Sequence, residues 1–444
     1  VKNVLVLGAG MVARPLVAYL TSRPDLTVTV ADVDADRAEA LVAGLANGTS
    51  LALDARDLDA VGAQIDACDL VASILPSEFE PVIARLAVAK GRSMVSASPR
   101  RDAGMEQLDE EARAAGVALL PEVGLDPGLE HMAIARIVAR VRAREGRVTA
   151  VRSYCGGVPA PEAATNPWRY KFSWNPKGAV EASLDDALHL RDGREVSVPN
   201  AELFSSHWLV PVPGFDELEA HFNGNALPYA RIYGVEGVDD LLRATLRYHG
   251  WASTMRAVQK LGYNSTTPVA EPPATYAVLT RRLAGLGEGD DLVAGLARFL
   301  DVDVRSTVLE RLLFLGLAAD EPLVWAQGEP RTPLNALAAR MYATMMYAPG
   351  ERDLSVMYNE VEAAYPDGAR ERATATLIAY GDPDGDSSMA FTVGTPAAIA
   401  ATMLLDGRIP DTGLVMPVKP HIFDPVLDEL ATRGVVFDER TERL

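Results

Sequence analysis

The sequence predicts an α/β protein: a doubly wound parallel sheet first, then an α+β region, then a mostly helical one. Three observations predict it. Through the first 130 or so positions, short apolar runs alternate with helical patterns of about 10–15 residues. A Gly-x-Gly-x-x-Ala turn joins the first run to the first helix. Beyond about residue 131 the texture shifts to strand patterns broken by Gly and Pro, and beyond about 236 to helical apolar spacing.

"NVLVLG" is a continuous apolar run, as a parallel strand buried on both faces requires. A helix comes next, over Met11 to Thr21. "TVTVAD" is the second strand and "DADRAEALVAGLA" a charged amphipathic helix. "LALD" at 51–54, "CDLVASILP", "SMVSAS" and "VALLPEVG" complete six strands. Next, "RVTAVRSYCGG", "AVEAS" and "EVSVPN" read as strands. "VDDLLRATLRYHGWASTMRAVQKLG", "DDLVAGLARFLD" and "PLNALAARMYATMMY" carry helical spacing. "DLSVMYNEVEAAYPDGARERATATLIAYG" reads as a hairpin about Pro366-Asp367-Gly368, then a helix, "TPAAIAATMLLDG", and a short α/β tail.

The 444 residues suffice for two or three domains with a substantial core. A net charge of −19 works against nucleic acid and against an anionic membrane. No apolar run reaches the length of a membrane span, and "VKNVLVLGAG" reads as a strand rather than a signal peptide. Two cysteines, Cys68 and Cys155, make no disulfide framework and fit a reducing, cytoplasmic setting. The six His residues show no metal-ligand spacing, so no metal is expected.

The chemistry begins at the first turn. Gly8 permits a tight turn, Gly10 a close backbone approach to a pyrophosphate, and Ala13 close helix–strand packing. Met11 and Val12 open the helix whose N-terminus faces the phosphates. Asp32 ends the second strand, where a carboxylate meets a ribose 2′-hydroxyl and repels a 2′-phosphate. It can equally cap the next helix, although Asp34 can fill that role and leave Asp32 free for the ribose. NAD is therefore favoured, with NADP possible, since Arg37 lies within a helical turn and can accept a 2′-phosphate. Asp54 either reaches the adenine side or caps the turn after the third strand. Ser73, Ile74, Leu75 and Pro76 end the fourth strand and should line the cofactor, as should Ser98 after the fifth. Asp126 opens an Asp-Pro-Gly turn, and local chemistry alone makes it a turn residue.

With "GAGMVARPLVAYL", "EVGLDPGLEHM", "SYCGGVPAPEAATNPWRYKFSW", "LLRATLRYHGW" and "TVGTPAAIAATMLLDGRIPDTGLVMP", the chain resembles the glutamate-forming saccharopine dehydrogenases over nearly its whole length. The resemblance implies a Rossmann domain over 1–130, joined by a C-terminal segment from about 395 to 444. It implies an α+β substrate domain over 131–235 and about 346–394, with an all-helical insertion over 236–345. It implies hydride transfer between NAD(P) and the C–N bond of saccharopine, a small amino-acid substrate, and a homodimer. Asp126 and Cys155 match the family's proposed active-site aspartate and cysteine. Gly156 would let the backbone come close to ligand, with the aromatics packing the strand behind.

Three departures stand out. The family's Ser-Tyr pair reads Ser98-Pro99, its Asn-Arg-Asp segment reads Asn223-Gly224-Asn225, and Asp32 stands where NADP-using relatives carry arginine. The missing arginine would hold a substrate carboxylate. Arg100, Arg101, Arg231 and Lys171 are candidate replacements, with Ser98 beside the substrate. A different N-linked amine, of the opine or carboxy-polyamine kind, or a non-catalytic cofactor-binding role are the alternatives.

Overall fold

A computed structural model describes residues 1–98, 103–325 and 329–444. It divides into two compact units. The first comprises Val1–Thr149, Arg231–Val235 and Asn359–Leu444, the second Ala150–Ala230 and Glu236–Tyr358.

The first unit opens with β1 (Lys2–Leu7), α1 (Ala13–Thr21), β2 (Leu26–Asp32), α2 (Ala35–Val42), β3 (Gly48–Ala52) and α3 (Leu58–Asp66). It continues with β4 (Leu70–Ser73), α4 (Glu80–Ala89), β5 (Ser93–Ser96), α5 (Ala103–Ala115), β6 (Ala118–Leu120) and α6 (Leu129–Ala143). The chain then enters the second unit along β7 (Arg147–Pro159), with α7 (Pro176–Glu181), β8 (Ala187–Arg191), β9 (Arg194–Val198), β10 (His207–Pro211) and β11 (Glu217–Phe222) after it. After α8 (Pro228–Ile232) come β12 (Asp240–Arg247) and five helices: α9 (Trp251–Leu261), α10 (Tyr276–Leu283), α11 (Leu292–Leu300), α12 (Thr307–Phe314) and α13 (Pro333–Thr344). The return runs through β13 (Asp353–Ala364), β14 (Arg370–Tyr380), α14 (Ser388–Leu405), β15 (Gly413–Leu414), α15 (Pro420–Thr432) and β16 (Asp438–Arg443).

The first unit's main sheet is parallel throughout, in the order β15-β6-β5-β4-β1-β2-β3. Val4 pairs with both Val28 and Leu70, so β1 is flanked on both edges. Its last four residues are buried, which accounts for the unbroken apolar run. The order reverses at β1/β4, the switch point where such sheets bind ligands. The C-terminal chain contributes β15 beside β6, and α14 packs on α1. Gly394 allows that packing: an added Cβ would lie 2.8 Å from the Val12 carbonyl oxygen.

By length and composition α14 is apolar enough to cross a membrane, a property not anticipated from the apolar runs. It is 78% buried inside the protein, where it serves as a core helix. The expected hairpin forms between β13 and β14, closed by Tyr365 N–H donating to the Ala369 carbonyl and by Gly368 at φ +85°. β14 then pairs antiparallel with β16.

In the second unit β10, β11 and β12 run antiparallel, and β12 pairs parallel with β7. Two expectations fail here. Residues 240–247, read as helical, form β12. Their apolar positions suit either period, and hydrogen-bonded partners on both sides decide for strand. Gly250 at φ +91° separates this strand from the true helix, α9. "AVEAS", read as a strand, lies at the end of α7. There the Asn175 side chain accepts from Lys177 N–H at 3.0 Å and Pro176 occupies the first helical position.

Candidate functional site

The β1–α1 turn is built to receive an anion. The chain turns at Gly8 with φ +104°, and a Cβ there would sit 3.2 Å from the Ile74 carbonyl oxygen. Only glycine combines that conformation with that approach. A Cβ on Gly10 would meet nothing within 4 Å, so this residue faces open space. The N–H groups of Gly10, Met11 and Val12 meet no acceptor among the described residues. Val12, the N-cap of α1, provides no side-chain cap, and the first turn holds no acid. Unspent donors at the positive end of a helix dipole fit a dinucleotide pyrophosphate.

Asp32 is committed more deeply than expected. Its carboxylate accepts from Ala9 N–H at 2.6 Å and from Asp34 N–H at 2.8 Å. It therefore ties the phosphate turn to the β2–α2 turn rather than standing free. Each oxygen keeps a second lone pair for a ribose hydroxyl. Asp34 caps α2, accepting from Arg37 N–H at 3.2 Å, and its other oxygen holds Arg37 Nε at 3.1 Å. Asp54 is exposed and accepts from Arg56 N–H at 2.9 Å, a turn cap. Ser73 is buried, Ile74 and Leu75 are half-buried and Pro76 is exposed. The Ser98 hydroxyl donates to the Leu75 carbonyl at 3.1 Å. Pro99, Arg100 and Arg101 lie outside the described residues.

The Asp126 loop comes after β6 on the same edge. Glu122 holds φ +59°, the Asp126–Pro127 bond is cis, and a Cβ on Gly128 would lie 2.1 Å from the Gly124 carbonyl oxygen. Beneath it sits a buried network that sequence reasoning missed. His131 Nε2 lies 2.9 Å from Glu122 and 3.3 Å from Glu130, and Nδ1 lies 2.6 Å from the Tyr233 hydroxyl. Glu130 also accepts from Gly128 N–H at 2.5 Å. These bonds fix the backbone on either side of Asp126. "EVGLDPGLEHM" contained three of these residues, but nothing local marks a glutamate and a histidine nine apart as partners.

Close by, Glu80 is 2% exposed, and neither oxygen completes a hydrogen bond of good geometry. Burial pushes its carboxyl up to about 7; the Ser96 hydroxyl opposes this and the Glu122 charge adds to it.

In the second unit, pairing places Cys155 opposite Thr245, and Thr245 opposite His221. Directly opposed residues share a sheet face, so Cys155, Thr245 and His221 lie in one row. Two strand spacings, about 9–10 Å, separate thiol from imidazole, too far for a thiolate–imidazole pair. Burial, with the charges of Arg247 and His207, also drives His221 down to about 3. Cys155 is itself buried.

Gly156 has a packing reason. A Cβ there would lie 2.3 Å from the Leu246 carbonyl oxygen, so glycine lets β7 meet β12. The chain is irregular after Ala163, yet the aromatics Trp168, Tyr170 and Phe172 are among the most buried side chains. They pack around Trp251, and Trp168 Nε1 donates to the Arg311 carbonyl at 2.9 Å. Lys171 is not an idle cation. It is 7% exposed and forms an ion pair with Glu351. Arg231 is exposed at the end of α8. Gly224 adopts φ +58° in a turn whose carbonyl accepts from Leu188 N–H at 3.0 Å.

The structure thus gathers Gly8, Gly10, Met11, Val12, Asp32, Ile74, Leu75 and Ser98 at one sheet edge in the first unit. Cys155 and Gly156 share β7 in the second unit, whereas Lys171 and Arg231 join neither group.

The chain was compared with known proteins. A family model for the saccharopine dehydrogenase NADP binding domain matches residues 4–120, and one for the saccharopine dehydrogenase C-terminal domain matches 124–435. The chain is 33% identical over 441 residues to a saccharopine dehydrogenase [NADP(+), L-glutamate-forming] of Pyricularia oryzae, covering 97% of this chain and 96% of that one. It is 34% identical over 446 residues to the mitochondrial alpha-aminoadipic semialdehyde synthase of Bos taurus, covering 98% of this chain but 47% of that one. It therefore spans about half the length of the latter. The solved apo saccharopine dehydrogenase (L-Glu forming) of Saccharomyces cerevisiae matches with a TM-score of 0.86 and 30% identity over all of both chains.

Proposed function

The chain belongs to the saccharopine dehydrogenase family, and from that premise we propose that it oxidises saccharopine or a close analogue with NAD(P), releasing glutamate. In that direction hydride leaves the carbon of the secondary amine, and water adds to the resulting imine. The carbinolamine then collapses to glutamate and α-aminoadipate semialdehyde. The observation that carries the reading is the β1–α1 turn, with three unspent N–H groups at the switch point of a parallel sheet.

Each residue has a proposed task. Gly8, Gly10, Met11 and Val12 hold the pyrophosphate. Asp32 orients the turn and accepts from a ribose hydroxyl, while Asp54 stands at the adenine side. Ser73, Ile74, Leu75, Pro76 and Ser98 line the nicotinamide end. The bound cofactor supplies the hydride acceptor. Asp126, on a loop braced by the Glu122–His131–Tyr233 network, takes a proton from the attacking water. Cys155 contributes to the substrate-facing surface without acting as a nucleophile.

Relatives are named for NADP(+), and the Asp32 carboxylate supports use of NAD here as well. A second reading, a reductase for a different N-linked amine, is favoured by Gly224. A left-handed turn carries no side chain there to hold a carboxylate. The experiment is absorbance at 340 nm with saccharopine and NADP or NAD at alkaline pH. Turnover supports the first reading. Measurable cofactor binding with no turnover of saccharopine sinks it in favour of the second. Light scattering tests the proposed homodimer.

A further inference from the structure

A buried imidazole stands beneath the Asp126 loop, and the chain on both sides of Asp126 converges on it. Every residue from 121 to 135 is buried except Asp126, which is half-buried. His131, in the first turn of α6, is 0% exposed, as is Glu130, and Glu122 is 1% exposed. His131 Nε2 faces both acids, at 2.9 Å from Glu122 and 3.3 Å from Glu130. Glu122 precedes Asp126 by four residues and Glu130 follows it by four. One ring nitrogen thus ties both ends of the loop.

Each end is fixed further. Glu122 holds φ +59°, a left-handed conformation that a residue with a side chain keeps only where its surroundings over-determine it. Its N–H donates to the Ser98 carbonyl at 3.3 Å, and Val123 N–H to the Ser96 carbonyl at 2.9 Å, both on the cofactor edge. Glu130 accepts from Gly128 N–H, and Leu129 N–H closes back on the Gly124 carbonyl at 2.9 Å. On the other side of the ring Nδ1 lies 2.6 Å from the Tyr233 hydroxyl, and Arg142 Nη2 pins the Tyr233 carbonyl at 3.0 Å. Facing an ionised Glu122, Nε2 must carry a proton, and a neutral ring then leaves Nδ1 to accept from the Tyr233 hydroxyl. Tyr233 therefore selects the tautomer that holds the loop. Buried acids around an imidazole give no gain in stability over apolar side chains of equal volume. A role in placing the one half-buried residue accounts for them.

We propose that His131 is a positioning residue for Asp126: with Tyr233 selecting its tautomer, its Nε2–H draws Glu122 and Glu130 together and fixes the Asp126 carboxyl group relative to the cofactor edge. That Asp126 takes a proton during the reaction rests on the proposed function; the convergence of both loop ends on one ring nitrogen does not.

The test uses Tyr233→Phe and His131→Gln in the full chain, each alone and combined with Asp126→Asn. Tyr233→Phe keeps the ring and removes the hydroxyl. It should lower kcat for saccharopine about tenfold, with KM and the NADPH dissociation constant within about twofold of wild type. His131→Gln should lower kcat about a hundredfold. In the Asp126→Asn background neither change should lower kcat further by more than about twofold, because both act through that side chain. Hydrogen exchange read by mass spectrometry is a second arm that needs no turnover. Amides of residues 122–131 should exchange about tenfold faster in Tyr233→Phe, with the strands of the parallel sheet unchanged. A lower melting temperature with wild-type kcat in Tyr233→Phe overturns the proposal. Losses that multiply with Asp126→Asn, or loop amides that exchange as in wild type, overturn it too. If saccharopine is not turned over, or Asp126→Asn is near normal, the functional reading fails by itself, and exchange still decides whether Tyr233 and His131 hold the loop.

Discussion

Replacing Glu80 by glutamine should make the first unit more stable in mild alkali and leave it nearly unchanged in mild acid. Glu80 opens α4 and is almost wholly buried. Burial is the main cause of its raised pKa; the Ser96 hydroxyl works against it, and the Glu122 charge reinforces it. The rise from the ordinary 4.5 to about 7 corresponds to about 3 kcal/mol. The sign comes from proton counting. Below 4.5 both folded and unfolded chains hold the proton, and nothing is lost. Between 4.5 and 7 the unfolded chain releases it while the folded chain retains it, so stability falls as pH rises. Above 7 the loss is complete. The substituted glutamine never ionises, although its own buried amide costs about 1 kcal/mol. The expected gain at pH 8 is therefore about 2 kcal/mol, or roughly 4–8 °C in melting temperature for a unit of this size. Scanning calorimetry of Glu80→Gln and wild type at pH 5, 6, 7 and 8 tests this. Their difference should open between pH 5 and pH 8. A difference that stays flat across the range would falsify the assignment of a buried, high-pKa acid.

Four further outcomes are expected from the geometry. Asp126→Asn should cut turnover by about 10²- to 10⁴-fold with the cofactor dissociation constant unchanged; near-normal turnover removes Asp126 from the chemistry. Asp32→Ala should shift preference from NADH toward NADPH by about tenfold, roughly 1.4 kcal/mol, and lower the melting temperature, because two backbone N–H groups lose their acceptor. An unchanged preference would mean that Asp32 only braces the turn. Gly156→Ala should destabilise by about 2 kcal/mol, since its Cβ would meet the Leu246 carbonyl oxygen at 2.3 Å; a wild-type urea midpoint would refute the close strand contact. His221, held down at about 3 by burial and by the Arg247 and His207 charges, gives stability that is complete above about 6.5 and is lost as pH falls toward 3. The slope is at most about 1.4 kcal/mol per pH unit. His221→Phe should flatten that loss between pH 6 and pH 4, and an equally steep acid loss in the variant would contradict it.

What was legible in the sequence is what the backbone itself encodes. Gly8, Gly10 and Ala13 announce a strand–turn–helix because only small residues tolerate that turn and that approach, and the structure sets them where the spacing implied. The cap read at Asp34 behaves alike, since its side chain heads α2. Ambiguity entered where one short apolar run satisfied two periods. "LLRATLR" became a strand only because β7 and β11 bracket it, and that information lies about 90 and about 25 residues away, respectively. Side-chain chemistry was the least legible layer. Glu80 reads as an ordinary acid in a first helical turn, and its burial depends on what α4 covers.

The same distinction bears on the cations that the sequence offered as replacement carboxylate anchors. Lys171 and Arg231 were attractive because they lie in or near marker stretches, yet nearness in sequence does not say whether a charge is already spent. Lys171 is spent on Glu351, and Arg231 faces solvent. A cation able to anchor substrate must be desolvated and still unpaired, and both properties emerge only once neighbouring charges are assigned. Glu219 shows how such assignments are made: it stands directly opposite the buried Arg247, yet its oxygens accept from Gly250 and Ala252 N–H at the start of α9. Glu219→Gln keeps one acceptor and turns the other into a donor, so one of the two N–H groups at the start of α9 loses its partner and the second unit should melt at a lower temperature; an unchanged melting temperature would show that the second acceptor is not needed at the cap.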